Sequence, residues 1–483
     1  MPVALAYVAA SLRREGIPVT VNDAYAQKPS QVRWQDKFLI YGLDYSEIIH
    51  RIPLEAQVAV IYAINLTNHL ATVGIVQAVK KARPGLTVVV LENTQAVTAY
   101  ALKQVAHEFY EAGADYILTG EGEERIIQLV RYLDNPSSCE DIAQLDGLGS
   151  RDFYNSPRTV ISDLDRLTFP AWDLFPLKNY WNLRFAHGPQ TDDKYLPILT
   201  SRGCPYPCQF CVVPATNNQK WRARSAKNVV DEMEYYQKEL GVNEFHIEDL
   251  DPTISDERMR EICQEIMNRP LRVVWKIVAG TKVETIRNEE TIDKMAEAGC
   301  RYISISPETG SPRLLKIMQK PFHLDHAVRM VKRMNQTGIR SQACFVLGFP
   351  SETQEDLKMT ERLVHFLTRE GVDEVALFII TPVPGSAIYS QFQGYRSLSE
   401  LNFTPTWRPD YGPLNRFRLQ LYKKFLWWKL LYHPFKIFIQ PLNFLRRRFQ
   451  TKMEMVPYRA LVLRYFARNV RKKDAVMVGP ELN

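Results

Sequence analysis

The sequence predicts an α/β protein built as a flavodoxin-like open parallel sheet, then a partial (βα)6 barrel of the TIM type, then a basic, aromatic helical tail. Three observations carry this. Strand-like and helix-period segments alternate from Ala4 to Tyr132, and six further strand–helix repeats begin at residue 195. Residues 414–473 then hold 16 Lys or Arg against a single acid, Glu454. The expected divisions are 1–133 for the first unit, 134–194 for a linker, 195–393 for the barrel and 394–483 for the tail.

The first unit reads as a helix over Ala4–Arg14, a strand near Val19–Val21, a strand at Val58–Ile64 and a helix over Val73–Ala82. A strand at Thr87–Leu91, a helix over Tyr100–Ala112 and a strand at Tyr116–Leu118 follow. A helix over Glu124–Tyr132 comes after the turn Gly120-Glu121-Gly122. The pattern lacks one element, because the first strand of a flavodoxin-like sheet is central and here Met1-Pro2 leads directly into a helix. The expectation is a start further upstream or a degraded sheet. Residues 134–194 are rich in Asp, Pro, Gly and Ser, with Pro136, Gly147, Gly149, Pro157, Pro170 and Pro176, and read as a linker. Barrel strands are expected at Tyr195–Ser201, Glu244–Asp249, Val273–Val278, Tyr302–Pro307, Ser341–Leu347 and Glu374–Thr381. Chemistry in such folds sits at the C-terminal ends of the strands, where loops vary without disturbing the packed core.

A chain of 483 residues with 46% hydrophobic and 24% charged residues suffices for two or three cores. No apolar run reaches the roughly 18 residues of a spanning helix, and the N-terminus lacks a basic-then-apolar signal, so the expected address is the cytoplasm. Of seven cysteines, Cys139, Cys263, Cys300 and Cys344 are scattered, while Cys204, Cys208 and Cys211 fall within eight residues. An odd total with one tight cluster points to reduced thiols and metal, not disulfides. The net charge of +7 hides an asymmetry, since the tail is basic and the rest of the chain is acidic.

The segment Arg202-Gly203-Cys204-Pro205-Tyr206-Pro207-Cys208-Gln209-Phe210-Cys211 follows the first barrel strand, which projects its thiols into the barrel mouth. Three thiolates spaced C-x3-C-x2-C can hold three irons of a 4Fe-4S cube. The fourth iron is left open. It can chelate the amino and carboxylate groups of S-adenosylmethionine and set the sulfonium where one electron breaks its carbon–sulfur bond. Tyr206 and Phe210 would shield the cluster from water. Structural zinc is the competing reading, but it wants four ligands. No second cysteine pair is near, and no His lies between His187 and His246.

The cysteine loop, the strand pattern and several later segments resemble the radical S-adenosylmethionine (radical SAM) superfamily over about residues 195–390. The most similar branch bears an N-terminal cobalamin-binding domain. The segments that carry this are Gly120-Glu121-Gly122-Glu123, Phe169-Pro170-Ala171-Trp172-Asp173 and Trp221-Arg222-Ala223-Arg224-Ser225. The resemblance implies that Cys204, Cys208 and Cys211 hold the cluster beside Phe210, and that Glu248 and Asp249 stand near the ammonium of S-adenosylmethionine. A helix cap at Asp251 and Ser255 is the plain alternative for that acidic run. Ser306 and Glu308 are implied contacts of the nucleoside and methionine parts, although Pro307 stands where the family more often has Gly. In Leu347-Gly348-Phe349-Pro350-Ser351-Glu352-Thr353, Gly348 is implied to let the backbone approach adenine, with Glu352 and Thr353 as helix caps. Pro384 would shape the floor of the adenine site.

The branch also implies cobalamin between the first sheet's C-terminal edge and the barrel mouth. None of His50, His69 or His107 has an Asp two residues earlier, so a His-off mode is implied. The turn Glu92-Asn93-Thr94-Gln95-Ala96 carries no glycine where the family has a glycine-rich one. The function implied is formation of a 5'-deoxyadenosyl radical for cobalamin-associated methyl transfer or ring formation on a hydrophobic or lipid-like substrate. The implied reductant is a reducing partner such as ferredoxin or flavodoxin. An RNA-modifying methylthiotransferase-like enzyme would need a second cluster, and only Cys139 precedes Cys204. A non-catalytic iron–sulfur scaffold would not need the later turns.

The tail interleaves its bases with Phe417, Tyr422, Phe425, Trp427, Trp428, Tyr432, Phe435, Phe438, Phe444 and Phe449, and Pro434 and Pro441 break any long helix. It fits a packed cover or peripheral contact with an anionic membrane, and nucleic acid is the least favoured partner. Because all expected ligands precede Gln393, a chain ending there is expected to keep its cluster.

Overall fold

Val58–Ala63 and Thr87–Glu92 are short, Val-rich runs, and in the computed structural model they pair as parallel strands. The structure describes residues 1–135, 142–320, 322–468 and 470; Pro136 and Cys139 of the expected linker, and Arg471, Lys472 and Lys473 of the tail, lie outside them. An unforeseen hairpin of β1 (Val32–Gln35) and β2 (Phe38–Tyr41) precedes the first sheet. That sheet runs β3 (Val58–Ala63), β4 (Thr87–Glu92), β5 (Tyr116–Leu118), β6 (Leu148–Gly149), with β3 to β5 parallel and β6 antiparallel. Central β4 is almost wholly buried, whereas edge β3 is half-buried.

Three expectations need correction here. Val19–Val21 forms no strand, because no described ladder on the outer side of β3 offers it hydrogen-bond partners. The expected helix over Tyr100–Ala112 is a 3-10 turn at Leu102–Val105 and a helix at Ala106–Glu111. The described part of residues 134–194 is no free linker: β6 joins the first sheet, Trp172 is buried, Ala171 N–H donates to the Ala6 carbonyl at 3.0 Å, and Trp181 Nε1 donates to the Tyr195 carbonyl at 2.8 Å.

The second sheet is all parallel and in chain order. Its strands are β7 (Tyr195–Ile198), β10 (Glu244–Ile247), β11 (Val274–Thr281), β12 (Cys300–Glu308), β13 (Arg340–Leu347) and β14 (Glu374–Ile379). Between β7 and β10, the antiparallel pair β8 (Ser201–Arg202) and β9 (Arg222–Ala223) brackets the cysteine loop. One face of the sheet sends Phe245, Ile247, Ile277, Ile303 and Phe345 into the core shared with the crossover helices. The other carries buried polar groups that satisfy one another: Lys276 Nζ donates to Glu244 at 2.7 Å, Tyr302 Oη to Glu374 at 2.5 Å and Ser304 Oγ to Gln342 at 3.0 Å. Burying such groups is tolerable only because each is paired.

The tail begins with the helix Tyr411–Tyr432, whose Leu414, Leu421, Phe425 and Lys429 are buried. Tyr422 Oη accepts from Leu377 N–H of β14 at 3.0 Å. Helices Pro434–Phe438, Gln440–Arg446 and Lys452–Ala467 follow. Pro434 and Pro441 stand in the first turns of theirs, where a missing N–H costs nothing. Residues 449–453 form a strap across the N-terminal ends of the strands. Phe449 N–H donates to the Gln190 carbonyl at 2.8 Å, Arg340 to Gln450 at 3.0 Å and Met453 N–H to Glu374 at 2.8 Å. Lys452 reaches the polar face, donating to Gln342 at 3.1 Å. Among the described residues no helix is long and apolar enough to cross a membrane.

Candidate functional site

The cysteine loop leaves β8 through Gly203, whose φ of +79° and close approach leave no room for a side chain: a Cβ there would lie 2.0 Å from the Lys220 carbonyl oxygen. The loop is then stitched to the C-terminal ends of the strands. Gln209 N–H donates to the Met318 carbonyl at 3.1 Å, and Ile388 N–H to the Gln209 carbonyl at 3.3 Å. Phe210 packs with Leu314, Met318, Val346 and Phe349, an apolar nest that presses the loop onto the sheet edge.

Cys204, Cys208 and Cys211 are half-buried and in no disulfide. Burial pushes Cys204 and Cys211 up to about 12 and raises Cys208 as well, and bound iron would supply positive charge that favours their thiolates. Among the described residues, no three His, Cys, Asp or Glu converge as a single-ion site does. A cube takes each thiolate on a different iron, and three free thiols on one loop supply three of those ligands. The donor set therefore fits the cluster. Lys320, paired with Glu308 at 2.6 Å, supplies a buried cation near all three thiols.

The turn Gly120-Glu121-Gly122-Glu123 of the first unit grips both strands that bracket the loop. Arg202 meets Glu123 at 2.6 Å and Glu121 at 3.5 Å, with its guanidinium 5.1 Å from the Tyr7 ring centre, and Arg222 meets Glu121 at 2.9 Å. Arg202 and both acids are all but fully buried. Sequence reasoning quoted these acids and arginines as separate motifs and missed that they are partners. Their opposite charges were the available signal.

Glu248 faces His187, with Nδ1 and Oε2 2.5 Å apart. Burial works to raise its pKa, but His187 and His246 act against burial, and the carboxyl is held below its ordinary value. Asp249 accepts from Thr200 N–H at 2.7 Å, Thr200 Oγ1 at 2.6 Å and Ser201 Oγ at 2.6 Å, so it anchors the root of the loop; burial pushes its carboxyl up. The capping alternative holds for Ser255, which receives Arg258 N–H, while Asp251 accepts from Thr281 Oγ1 at 2.5 Å. Ser306 is buried against Gly280, where a Cβ would lie 2.1 Å from its Oγ.

Glu308 adopts a φ of +63°, a costly conformation for a residue with a Cβ, and its partner Lys320 links it to the thiols. Gly348 (φ +76°) engages the tail instead of an open site: its carbonyl accepts from Arg408 at 2.9 Å, and a Cβ would lie 2.5 Å from Leu414 Cδ1. Glu352 holds Gly348 N–H at 2.6 Å, and Thr353 caps its helix. The Pro384 carbonyl accepts from Ala101 N–H of the first unit at 2.8 Å.

That junction continues through Asn217, whose Nδ2 donates to the Thr94 carbonyl at 2.9 Å. Gln95 Oε1 and Asn217 Oδ1 are buried there without a partner, two acceptors suited to the amide N–H groups that rim a corrinoid.

Residues 198–364 match the radical SAM superfamily, so the chain carries a radical SAM domain. An uncharacterized methyltransferase of Pyrococcus horikoshii is 28% identical over 61% of this chain and 60% of its own length. Cytidylyl-2-hydroxyethylphosphonate methyltransferase of Streptomyces wedmorensis is 25% identical over 84% of this chain and 81% of its own. The anaerobic magnesium-protoporphyrin IX monomethyl ester cyclase of Rubrivivax gelatinosus is 28% identical over 61% of this chain and 53% of its own. Among solved structures, the radical S-adenosylmethionine methyltransferase TsrM of Kitasatospora setae superposes with a TM-score of 0.61 at 18% identity, over 82% of this chain and 74% of its own. The cobalamin-dependent enzyme OxsB gives 0.59 at 17%, over 87% and 54%. The fold of both units is thus shared with enzymes of the cobalamin-dependent kind.

Proposed function

We propose that this chain is a radical SAM enzyme performing cobalamin-associated methyl transfer or ring formation on a hydrophobic or lipid-like substrate, with ferredoxin or flavodoxin as its reductant. The observation that carries the reading is the set of three free thiols on one clamped loop at the C-terminal ends of a six-stranded parallel sheet. We read that sheet as a partial barrel and the tail as its cover. When bound, the cluster supplies the electron that cleaves S-adenosylmethionine to the 5'-deoxyadenosyl radical, and cobalamin supplies a methyl carrier.

The chain's own residues hold and shield. Cys204, Cys208 and Cys211 ligate, Phe210 excludes water, and Glu248, Ser306 and Glu308 offer the polar shell for S-adenosylmethionine. Asp249 acts through the loop root, and Gly348 and Pro384 fix the walls through the tail and the first unit. Gln95 and Asn217 are the residues we assign to the corrinoid rim. A lipid-like substrate resides in a bilayer, so the same reading places the chain in peripheral contact with an anionic membrane.

The test is anaerobic reconstitution, with iron content, 5'-deoxyadenosine release and corrinoid absorbance measured on one preparation. A loaded cluster that never yields 5'-deoxyadenosine would leave only the scaffold reading. Binding of a second cluster would favour the methylthiotransferase-like one. Isotope from labelled S-adenosylmethionine in the product separates methyl transfer from ring formation.

A further inference from the structure

The tail presents a surface for which the chemistry above has no use. Helix Tyr411–Tyr432 buries one side on the sheet and leaves Trp427 65% and Leu431 61% exposed on another. The two short helices that follow place Phe435 at 85%, Phe438 at 69%, Leu442 at 43% and Leu445 at 78% exposure. Single exposed apolar residues are ordinary, but these six, with Leu430 and Ile439 at 39% each, make eight within residues 427–445, a patch that a water-facing surface does not favour.

Cations surround it. Lys423 precedes the patch and Arg446, Arg447 and Arg448 follow it, all exposed. Nearby ion pairs join Lys424 to Glu361 and Lys436 to Asp373, and among the described residues Lys423 and the three arginines meet no carboxylate. The patch lies at the N-terminal ends of the second sheet's strands, since Lys436 donates to the Gly371 carbonyl just before β14 and Phe449 N–H to Gln190 just before β7.

We propose that this surface docks on an anionic lipid bilayer, with the six apolar side chains among the headgroups and Arg446, Arg447 and Arg448 on lipid phosphates. A second copy of the chain fits worse, because residues 423–448 hold no Asp or Glu, so the same patch on a second copy offers the cations no carboxylate. The proposal extends the lipid-like substrate reading by naming where such a substrate is met. The docked patch runs directly into the strap of residues 449–453, so the base of the sheet faces the membrane.

The experiment uses the full reconstituted chain, co-sedimented with vesicles of phosphatidylcholine alone or mixed with phosphatidylglycerol, at low and high salt. Binding is expected only with phosphatidylglycerol and should weaken with salt. Each basic side chain at such a surface contributes about a fivefold factor, so the triple variant Arg446→Ser, Arg447→Ser, Arg448→Ser should partition on the order of 100-fold more weakly. The variant Trp427→Ser, Phe435→Ser, Phe438→Ser should lose binding comparably. All six positions are exposed, so iron content should match the parent in both variants. Unchanged partitioning of either variant overturns the proposal, as does equal binding to neutral vesicles or a dimer that the Phe435→Ser variant dissociates. Release of 5'-deoxyadenosine without vesicles is scored separately: its absence with vesicle binding intact removes the enzymatic reading and leaves the docking surface standing.

Discussion

At the scale of single residues, the thiols and the buried ion pairs make the sharpest demands. Replacing Cys204, Cys208 or Cys211 by Ala should abolish the cluster, because a cube left with two thiolates lacks an anchor. Cys263→Ala, in the helix-side core, should leave iron and sulfide unchanged. Full iron retention in all three loop variants would refute the ligand assignment. Arg202→Met strands Glu123 in a buried site while Glu121 keeps Arg222, and breaking one side of such a pair costs about 3–5 kcal/mol. Thermal denaturation should show that loss together with weaker cluster retention, since Arg202 is two residues from Cys204.

At the scale of elements, the β8–β9 pair and the end of β4 decide how the two units meet. Gly203→Ala must place a Cβ against the Lys220 carbonyl in a left-handed conformation, so the pair should open and iron uptake should fall even with all three thiols present. Glu92, at the end of β4, accepts from Leu102 N–H and Gly120 N–H, yet burial lifts its carboxyl from 4.5 to about 7. Between those values the folded state holds a proton that the unfolded state has released, so this group's contribution to stability falls as pH rises through that window. Urea midpoints of Glu92→Gln should therefore vary less with pH than those of the parent between about 4.5 and 7. An identical slope would show that Glu92 does not carry the dependence.

At the scale of the whole molecule, the tail is a structural member. Arg408 donates to the carbonyls of Ile380 and Gly348, Leu421 and Phe425 join the main core, and the strap crosses the ends of β7, β13 and β14. A chain ending after Gln393 is therefore expected to aggregate and to lose iron, where the sequence pattern led to the opposite expectation. Size-exclusion chromatography of the shortened chain, with iron assay, checks this. A monodisperse, iron-loaded product would restore the view of the tail as an appendage.

The sequence by itself determined what is local. Thiol spacing marked the cysteine loop, period-two and apolar runs placed the six strands of the second sheet, and prolines marked the breaks in the tail, because each depends on neighbours a few residues away. Only the tertiary structure decided the partners. It joined Glu121 and Glu123 to Arg202 and Arg222 across about 80 to 100 residues of chain. It turned Asp249 onto the loop root and filled the space beside Gly348 with Leu414. It left Val19–Val21 without a ladder, although their composition is that of a strand, because a strand exists only where another backbone offers hydrogen bonds. Buried charge and backbone pairing are satisfied by whatever the fold brings near, and sequence distance says nothing of that.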